Sequence, residues 1–296
     1  MVSAAIEAKG ARIISLMLSA IHAVNVNDFQ SVASSLHQVS EGIQGIAKTL
    51  QRMYEKCGPS AFFHQLRPFL AGSKNMAAAG LPNGLFYDLG GGQGEWRQYS
   101  GGSNAQSSLI QTFDIFLGVE HSATGEMKSN SAVQPPAKNG YLQVWYTTLL
   151  YEVPNADADT LDTQEMRNYM PGPHRRFLQM LTQVSNIRPY VMTHRSGSPV
   201  RDAYNTAVMA LGSFRDKHIQ IVSRYIIMAS KTRPIDDPQT RMETTNLATA
   251  TSNVTGTAET DKNVLYGTGG TDLIPFLRHT RDTTKAAARY TDPPAP

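Results

Sequence analysis

One histidine of the chain lies on an apolar helical face, where its imidazole could bind a metal. Apolar side chains recur at helical spacing between residues 201 and 229, and His218 falls in line with them. The other members of this stripe are Tyr204, Val208, Leu211, Val222 and Tyr225, with Phe214 alongside. Two interpretations stay open: a hydrogen-bonded core histidine, or the axial ligand of a haem iron, which needs one imidazole in an apolar slot between helices. A zinc site lacks support, since the chain has no His-Glu-x-x-His motif.

An arginine follows a pair of phenylalanines within one short predicted helix. Phe62 and Phe63 precede Arg67 by five and four residues, which places the three side chains on one helical face. Such a set could form a pocket in which an aromatic ring stacks and the guanidinium binds a carboxylate through two hydrogen bonds. The alternative is a surface arginine whose stem lies over apolar neighbours. The residue types alone leave both interpretations open.

Two glycine-rich segments could hold a ligand. Residues 87–94, YDLGGGQG, look like the cofactor loop of nucleoside-cofactor methyltransferases. That loop should open a helix at once, by analogy with dinucleotide-binding folds, and residues 95–103 have no helical period, which argues against a methyltransferase. Gly101-Gly102-Ser103 precedes a predicted helix that runs through Ser107 to Leu117. Ser103 is predicted to cap that helix, and the segment is either an anion site or an ordinary turn.

Composition narrows the class of protein. The chain has 296 residues, 41% of them hydrophobic, and a net charge of +3 that is spread along the sequence. These values favour a globular protein and give no reason to expect nucleic-acid binding. No uninterrupted apolar run reaches the length of about 18 residues that a membrane span needs, and no secretory signal is visible. The single cysteine, Cys57, cannot form an internal disulfide. We therefore expect a cytoplasmic protein.

Helical periodicity dominates the sequence and predicts a mostly α fold. Predicted helices occupy most of residues 12–56, with a break at Asn25–Asp28, and then Pro59–Ala71, Glu165–Val184, Arg201–Ala229 and Leu273–Arg281. Asn27 or Asp28 is the predicted N-cap after the break, and residues 72–105 are predicted to be an ordered loop with one or two short strands. We divide the chain into a helical domain at 1–230, which contains a polar linker at 119–164, a flexible loop at 231–263, and a final segment at 264–296.

Six segments, taken together, resemble the indoleamine 2,3-dioxygenases, haem enzymes that open the indole ring of tryptophan. They are KCGPSAFFHQLRPFLAG (56–72), LPNGLFYD (81–88), YSGGSNAQSSLIQTFDIFLG (99–118), EMRNYMPGPHRRFL (165–178), AYNTAVMALGSFRDKHIQIVSRYI (203–226) and GTGGTDLIPFL (267–277). They cover about a third of the chain and stand in the family's order. The resemblance implies an all-α fold, in which a small N-terminal domain packs on a larger helical domain that holds the haem.

The resemblance also implies roles for individual residues. His218 would be the proximal haem ligand, and Asp114 and Arg215 look like the ion pair that supports its helix. Arg67 would pair with the tryptophan carboxylate, and Phe62 would pack on the indole. The full set of implied substrate-binding residues is Ser3, Phe62, Phe63, Arg67, Gly102, Ser103 and Thr268. Thr268 would belong to a glycine-rich loop that closes over the substrate.

The implied reaction uses haem b, kept ferrous by an electron donor, and dioxygen as co-substrate. Both oxygen atoms add across C2–C3 of the indole of L-tryptophan, or of a related indoleamine, and give N-formylkynurenine, the first step of the kynurenine route to NAD. The cofactor supplies the oxygen chemistry, and the protein supplies orientation and a dry pocket. We expect a monomer with neither nucleic-acid nor membrane partners.

Two departures from the family pattern bear on activity. The chain begins at the helix of the distal pocket, so we expect the small N-terminal domain to be missing and the distal side of the haem to be uncovered. Residues 144–164 interrupt a block that otherwise runs from Gln143 into Glu165. We interpret them as a retained in-frame intron, the alternative being a genuine surface insertion; a mature transcript that keeps these codons would exclude the intron. The alternatives to an active dioxygenase are a haem-binding remnant of the same fold and, on the glycine loop alone, a methyltransferase.

Overall fold

The structure is a computed structural model that describes residues 2–74, 76–77, 80–103, 106–121, 166–231 and 273–288. These residues form helices and one two-stranded sheet, which confirms the predicted all-α class. Most of the predicted linker 119–164, including the segment 144–164, lies outside the described residues, as does nearly all of the predicted loop 231–263. No helix in the described part of the chain combines the length and apolarity that crossing a membrane requires.

The first two helices lie side by side. Helix α1 runs over Val2–Asn25 and helix α2 over Phe29–Gln51. Of the two predicted N-caps, Asp28 takes the role, because its carboxylate accepts a hydrogen bond from the Ser31 amide at 3.1 Å. Asn27 supplies the turn instead, with a φ of 56°. Helix α1 also begins about three turns before the first residue of the predicted helix.

The predicted helix Pro59–Ala71 is a succession of short turns. Helices α3 (Met53–Lys56) and α4 (Pro59–Ala61) are followed by a π-helical turn at Phe62–Leu66 and a 3-10 turn at Arg67–Leu70. Pro68 has no amide hydrogen, so a regular α-helix cannot continue through it. Just before it, the Arg67 amide donates to the Phe62 carbonyl, one residue farther back than in an α-helix.

A β-hairpin occupies the centre of the predicted ordered loop. Strand β1 (Leu85–Gly90) pairs antiparallel with strand β2 (Gln93–Arg97). Gly90, Gly91 and Gly92 have φ values of 99°, 66° and 76°, which residues with a Cβ rarely adopt. Gly90 ends β1, and Gly91 and Gly92 form the turn between the strands. The glycine-rich segment therefore leads from one strand into the next and opens no helix, which rules out the methyltransferase interpretation of this loop.

Helix α5 begins later than the sequence predicts. It covers Ser108–Leu117 and has Ser107 in the N-cap position, so the prediction that Ser103 caps it is wrong. Tertiary and local contacts occupy the backbone around Ser103 instead: the Gly102 amide donates to the Leu70 carbonyl at 2.9 Å, and the Gln106 amide donates to the Ser103 carbonyl at 3.1 Å. Gly118, in the left-handed conformation with a φ of 62°, ends the helix.

The remaining helices complete one helical body. Their bounds are Gly172–Val184 for α6, Ile187–Met192 for α7, Pro199–Val222 for α8 and Leu273–Ala287 for α9. The predicted helix Glu165–Val184 is interrupted at Pro171, whereas α8 and the π-helical turn Ser223–Met228 together fill the predicted Arg201–Ala229. Helix α9 continues six residues beyond the predicted end at Arg281.

Helix α8 is the centre of the core. It packs along α2 and also contacts α5, α7 and α9. Tyr204, Val208 and Leu211 on its predicted apolar stripe are fully buried. The Tyr204 hydroxyl donates to the Leu117 carbonyl at 2.7 Å, and burial raises the pKa of Tyr204 to about 12. Because α9 packs on α8, residues 273–288 belong to the same body as the helices before residue 230.

Two helix glycines offer a matched test of this packing. A methyl group at Gly10 would overlap the side chain of Leu109, which is buried and cannot swing into open space, whereas a methyl group at Gly45 would meet no atom within 4 Å. We expect Gly10→Ala to lower the free energy of unfolding by about 1–3 kcal/mol through overpacking. Gly45→Ala, the control, should raise it by about 0.5–1 kcal/mol because alanine favours the helix. Urea denaturation followed by circular dichroism measures both, and equal effects would contradict the packing described.

Candidate functional site

His218 lies in the last part of α8, one turn after Arg215 and one turn before Val222. Its side chain is half-buried, while Val222 and Phe214, at the neighbouring positions on the same face, are buried. Burial, together with the positive charge of Arg215, lowers the pKa of His218 from 6.5 to about 4. The imidazole is therefore neutral at physiological pH, the state in which it binds a metal ion.

An ion pair stands one turn behind His218. Both Nη2-to-carboxylate distances from Arg215 to Asp114 are short, at 2.9 and 2.7 Å, and the pair joins α8 to α5. His121 adds a second contact, with its Nε2 atom 3.3 Å from Asp114 Oδ2. Burial by itself raises the pKa of Asp114, but the charge and the hydrogen bonds of Arg215, together with the nearby His121, outweigh burial and lower it below the usual value. Asp114 is thus a carboxylate at neutral pH.

Arg215 has a second partner that the sequence did not reveal. Its Nη1 atom donates to the hydroxyl of Thr284, a fully buried residue of α9. The Thr284 hydroxyl in turn donates to the Thr280 carbonyl at 2.8 Å. No sequence signal marked Thr284, because the predicted terminal helix stopped before it. No sequence signal marked His121 either, because it stands in a stretch of polar residues without periodicity.

Arg67 is an interior arginine. It is 2% exposed, and its Cζ atom lies 5.3 Å from the ring centroid of Phe63, a cation–π distance. Burial lowers the pKa of Arg67 to about 10, which still leaves the guanidinium charged at neutral pH. The interpretation of Arg67 as a surface arginine is therefore wrong. A buried cation beside an aromatic ring suits recognition of an anion that carries an apolar group.

Phe63 connects Arg67 with the helix of His218. It belongs to a buried apolar cluster with Val222, Ile226 and Ala229, against which Phe62 and three residues of α9, Leu273, Ile274 and Leu277, also pack. Phe62 meets Tyr225 edge to face, with ring centroids 5.6 Å apart. The Tyr225 hydroxyl lies 2.8 Å from the carbonyl oxygens of Met53 and Cys57, to which it donates, and so fixes the segment before Phe62. The cluster, which we call the Phe63 cluster, therefore lies between the arginine and the imidazole helix.

The remaining predicted site residues differ in placement. Gly102 lies against the turn that carries Arg67, through the hydrogen bond from its amide to Leu70, and Ser103 follows it. Ser3 is exposed in the first turn of α1. One turn later, Glu7 accepts a hydrogen bond from the Ser107 hydroxyl at 2.6 Å, which joins that helix to the segment after Ser103. Thr268 lies outside the described residues.

The fold and the site define a class: an α-helical protein with a neutral imidazole one turn before a residue of an apolar cluster, a buried ion pair one turn behind the imidazole, and a buried arginine over one aromatic ring of the cluster. The family follows from comparison with known proteins. The sequence model of indoleamine 2,3-dioxygenase matches residues 1–287. This chain belongs to the indoleamine 2,3-dioxygenase family, which confirms the resemblance carried by its six segments.

Individual relatives show how far the similarity extends. The chain is 40% identical to an indoleamine 2,3-dioxygenase of Penicillium citrinum over 290 residues, which are 97% of this chain and 53% of the relative. It is 39% identical to an indoleamine 2,3-dioxygenase of Saccharomyces cerevisiae over 258 residues, 84% of this chain and 51% of the relative. It is 32% identical to a 6-hydroxytryptophan 2,3-dioxygenase of Fusarium equiseti over 281 residues, 95% of this chain and 58% of the relative. The chain thus spans about half the length of these relatives.

The ion pair behind His218 predicts a defined dependence of stability on pH. Asp114→Asn leaves the buried charge of Arg215 without its carboxylate, and we expect the free energy of unfolding to fall by about 3 kcal/mol at neutral pH. Because the pKa of Asp114 is lowered on folding, its contribution is complete above the usual carboxyl pKa of about 4 and is lost as the pH falls through the lowered value.

Urea denaturation of both proteins over a pH series measures this difference. It should be present in full at neutral pH and should shrink in strong acid, where Asp114 is protonated. The exposed Glu41→Gln is the control for the loss of one negative charge. A difference that grows in acid would contradict the assignment of Asp114 as the ionised partner.

Proposed function

We propose that this chain is the haem-binding part of a dioxygenase that opens the indole ring of L-tryptophan to N-formylkynurenine, the first step of the kynurenine route to NAD. One observation carries the proposal. The buried guanidinium of Arg67 lies over Phe63, and Phe63 packs in the same cluster as Val222, one turn after His218. A cation suited to a carboxylate and the helix that carries His218 therefore meet at one apolar cluster, which suits an amino acid with an indole side chain.

The donor set is suited to haem. A haem iron takes one neutral imidazole, and the lowered pKa keeps His218 in that form. The Asp114–Arg215 pair braces α8 one turn before His218, and the apolar residues around Val222 suit the face of a porphyrin. When bound, the haem supplies the activation of dioxygen that adds both oxygen atoms across C2–C3 of the indole. We also propose that an electron donor keeps the haem iron ferrous.

The residues of this chain bind and orient the substrate. Arg67 pairs with the tryptophan carboxylate, and its burial makes that pair stronger than one in water. Phe62 and Phe63 contact the indole and exclude water from it. Gly102 and Ser103 border this pocket from the adjoining segment, and Ser3 and Thr268 complete the proposed substrate-binding set.

A second candidate substrate is a hydroxylated indole amino acid. The Fusarium equiseti relative is named a 6-hydroxytryptophan 2,3-dioxygenase. Such a substrate keeps the carboxylate that Arg67 would bind and adds one hydrogen-bonding group on the ring. Comparing turnover of tryptophan with turnover of 6-hydroxytryptophan separates the two candidates.

Titration of the purified chain with haem tests the proposed function directly. We expect stoichiometric uptake with a Soret band that shifts when L-tryptophan is added to the ferrous-CO form. His218→Ala should abolish stable haem binding, because it removes the axial ligand. The control is His37→Ala, which removes an exposed histidine of α2 and should leave haem binding unchanged. A Soret band that is indifferent to tryptophan would indicate a haem-binding protein without this substrate, and no uptake by the wild-type chain would contradict the proposal.

The role of Arg67 has a test built on the substrate. Arg67→Ala should retain haem and weaken L-tryptophan binding about thirtyfold or more, because a desolvated charge pair is lost. Tryptamine has the same indole and no carboxylate, so its affinity should change little. The exposed cation Arg175 provides the control variant Arg175→Ala. Equal losses for tryptophan and tryptamine in titrations of the Soret band would contradict pairing of Arg67 with the carboxylate.

A further inference from the structure

Helix α9 is fastened to α8 by polar contacts of two kinds. Within the interface, Arg215 donates to Thr284, which is 0% exposed. At its edge, Asp216 is paired with Lys285 at 2.6 Å and with Arg281 at 3.5 Å, and these side chains are 25–34% exposed. Gly212 allows the close approach, because a Cβ there would lie 2.8 Å from Lys285 Cγ. The buried contact and the edge contacts therefore hold the same stretch of α9.

The other end of α9 reaches the proposed substrate pocket. Leu273, Ile274 and Leu277 pack against the Phe63 cluster. At a rise of about 1.5 Å per residue, Thr284 lies about 15 Å along the helix from Ile274. A shift of α9 along or around its axis, relative to α8, moves all residues of the helix together. We call this placement relative to α8 the register of α9. A contact that fixes Thr284 therefore also fixes the residues that pack behind Phe63.

We propose that Thr284 is a positioning residue for the substrate pocket. By accepting a hydrogen bond from Arg215, it fixes the register of α9 and thereby the position of Leu273, Ile274 and Leu277 behind Phe63. The inference rests on the proposed function for the identity of the substrate. Arg215 then has two tasks: its Nη2 atom supports the helix of His218 through Asp114, and its Nη1 atom holds the helix that supports the tryptophan side.

The chemistry of the contact explains why this residue is needed. The Thr284 hydroxyl donates its hydrogen to Thr280, which leaves its oxygen lone pairs for Arg215. A valine has nearly the same shape but cannot accept, so a buried guanidinium N–H loses its partner. The edge pairs of Asp216 cannot substitute fully, because partly exposed ion pairs contribute little and are screened by salt. Without Thr284, the polar contacts described here between α9 and α8 are these partly exposed pairs.

The experiment compares three variants of the haem-loaded full chain. Thr284→Val removes the acceptor, Thr284→Ser restores it, and Thr283→Val makes the same chemical change at the neighbouring, half-buried position. For each protein, titration of the Soret band gives the affinity for L-tryptophan, and hydrogen exchange gives the protection of residues 273–278 and 279–288. The iron–histidine stretching frequency reports the bond to His218 independently of activity.

We expect Thr284→Val to weaken tryptophan binding by up to about tenfold, because binding must then restore the position of α9 against the cost of one unsatisfied buried donor. Exchange should rise at 273–278 as well as at 279–288, and the rise should increase with salt, since the edge pairs are then screened. The iron–histidine frequency should not change. Thr284→Ser and Thr283→Val should both behave as the wild type.

Three results would overturn the proposal. Unchanged exchange throughout α9 in Thr284→Val would show that the contact does not fix the helix. Increased exchange confined to 279–288 would show that the shift is not transmitted to the pocket. A changed iron–histidine frequency would show that Thr284 acts through His218. If the wild-type chain bound no tryptophan, the proposed function would fail, while exchange at 273–278 would still decide whether Thr284 sets the register of α9.

Discussion

The structure depends on placing one positive charge, that of Arg215, inside a helical interface. Arg215 is 7% exposed and stands on the stripe of α8 that otherwise carries Tyr204, Val208 and Leu211. A buried guanidinium is tolerated only when its donors are satisfied and its charge is balanced. Asp114 on α5 balances the charge and Thr284 on α9 satisfies a further donor. Three helices that are distant in sequence thus meet at one side chain, and the imidazole of His218 lies one turn beyond it.

The two halves of the site come from parts of the chain with different local geometry. His218 is on a long regular helix, whereas Phe63 and Arg67 lie in π-helical and 3-10 turns. A second π-helical turn follows α8 and carries Tyr225, which packs on Phe62. Such turns differ from an α-helix in the number of residues per turn, so the side chains after them point in other directions than a regular helix would give. They allow Phe62 and Phe63 to face α8 while the Arg67 guanidinium remains buried over the Phe63 ring.

Local signals in the sequence were sufficient for most of the secondary structure and for part of the site. Capping places the break before α2, periodicity places the start of α9, and the Gly- and Pro-rich composition of residues 72–105 predicts an ordered loop with one or two short strands. Contacts between distant segments could not be predicted this way. Ser103 does not cap α5, and the Gly102 amide before it is hydrogen-bonded to the Leu70 carbonyl. The proposed role of Thr284 depends on a hydrogen bond from Arg215, which lies 69 positions earlier in the chain. The π-helical turns were missed because a helical period of 3.6 residues was assumed throughout.

The β-hairpin determines what one of the two tryptophans, Trp96, reports about this chain. Trp96 is 59% exposed, with its ring edge-on to Phe86 at a centroid distance of 5.5 Å. Its indole is already hydrated in the folded protein, so its emission changes little when the helices separate. The large aromatic rings that are fully enclosed include those of two tyrosines, Tyr204 and Tyr225. Near-ultraviolet circular dichroism of tyrosine therefore follows the helical body, whereas the Trp96 signal follows the exposed hairpin.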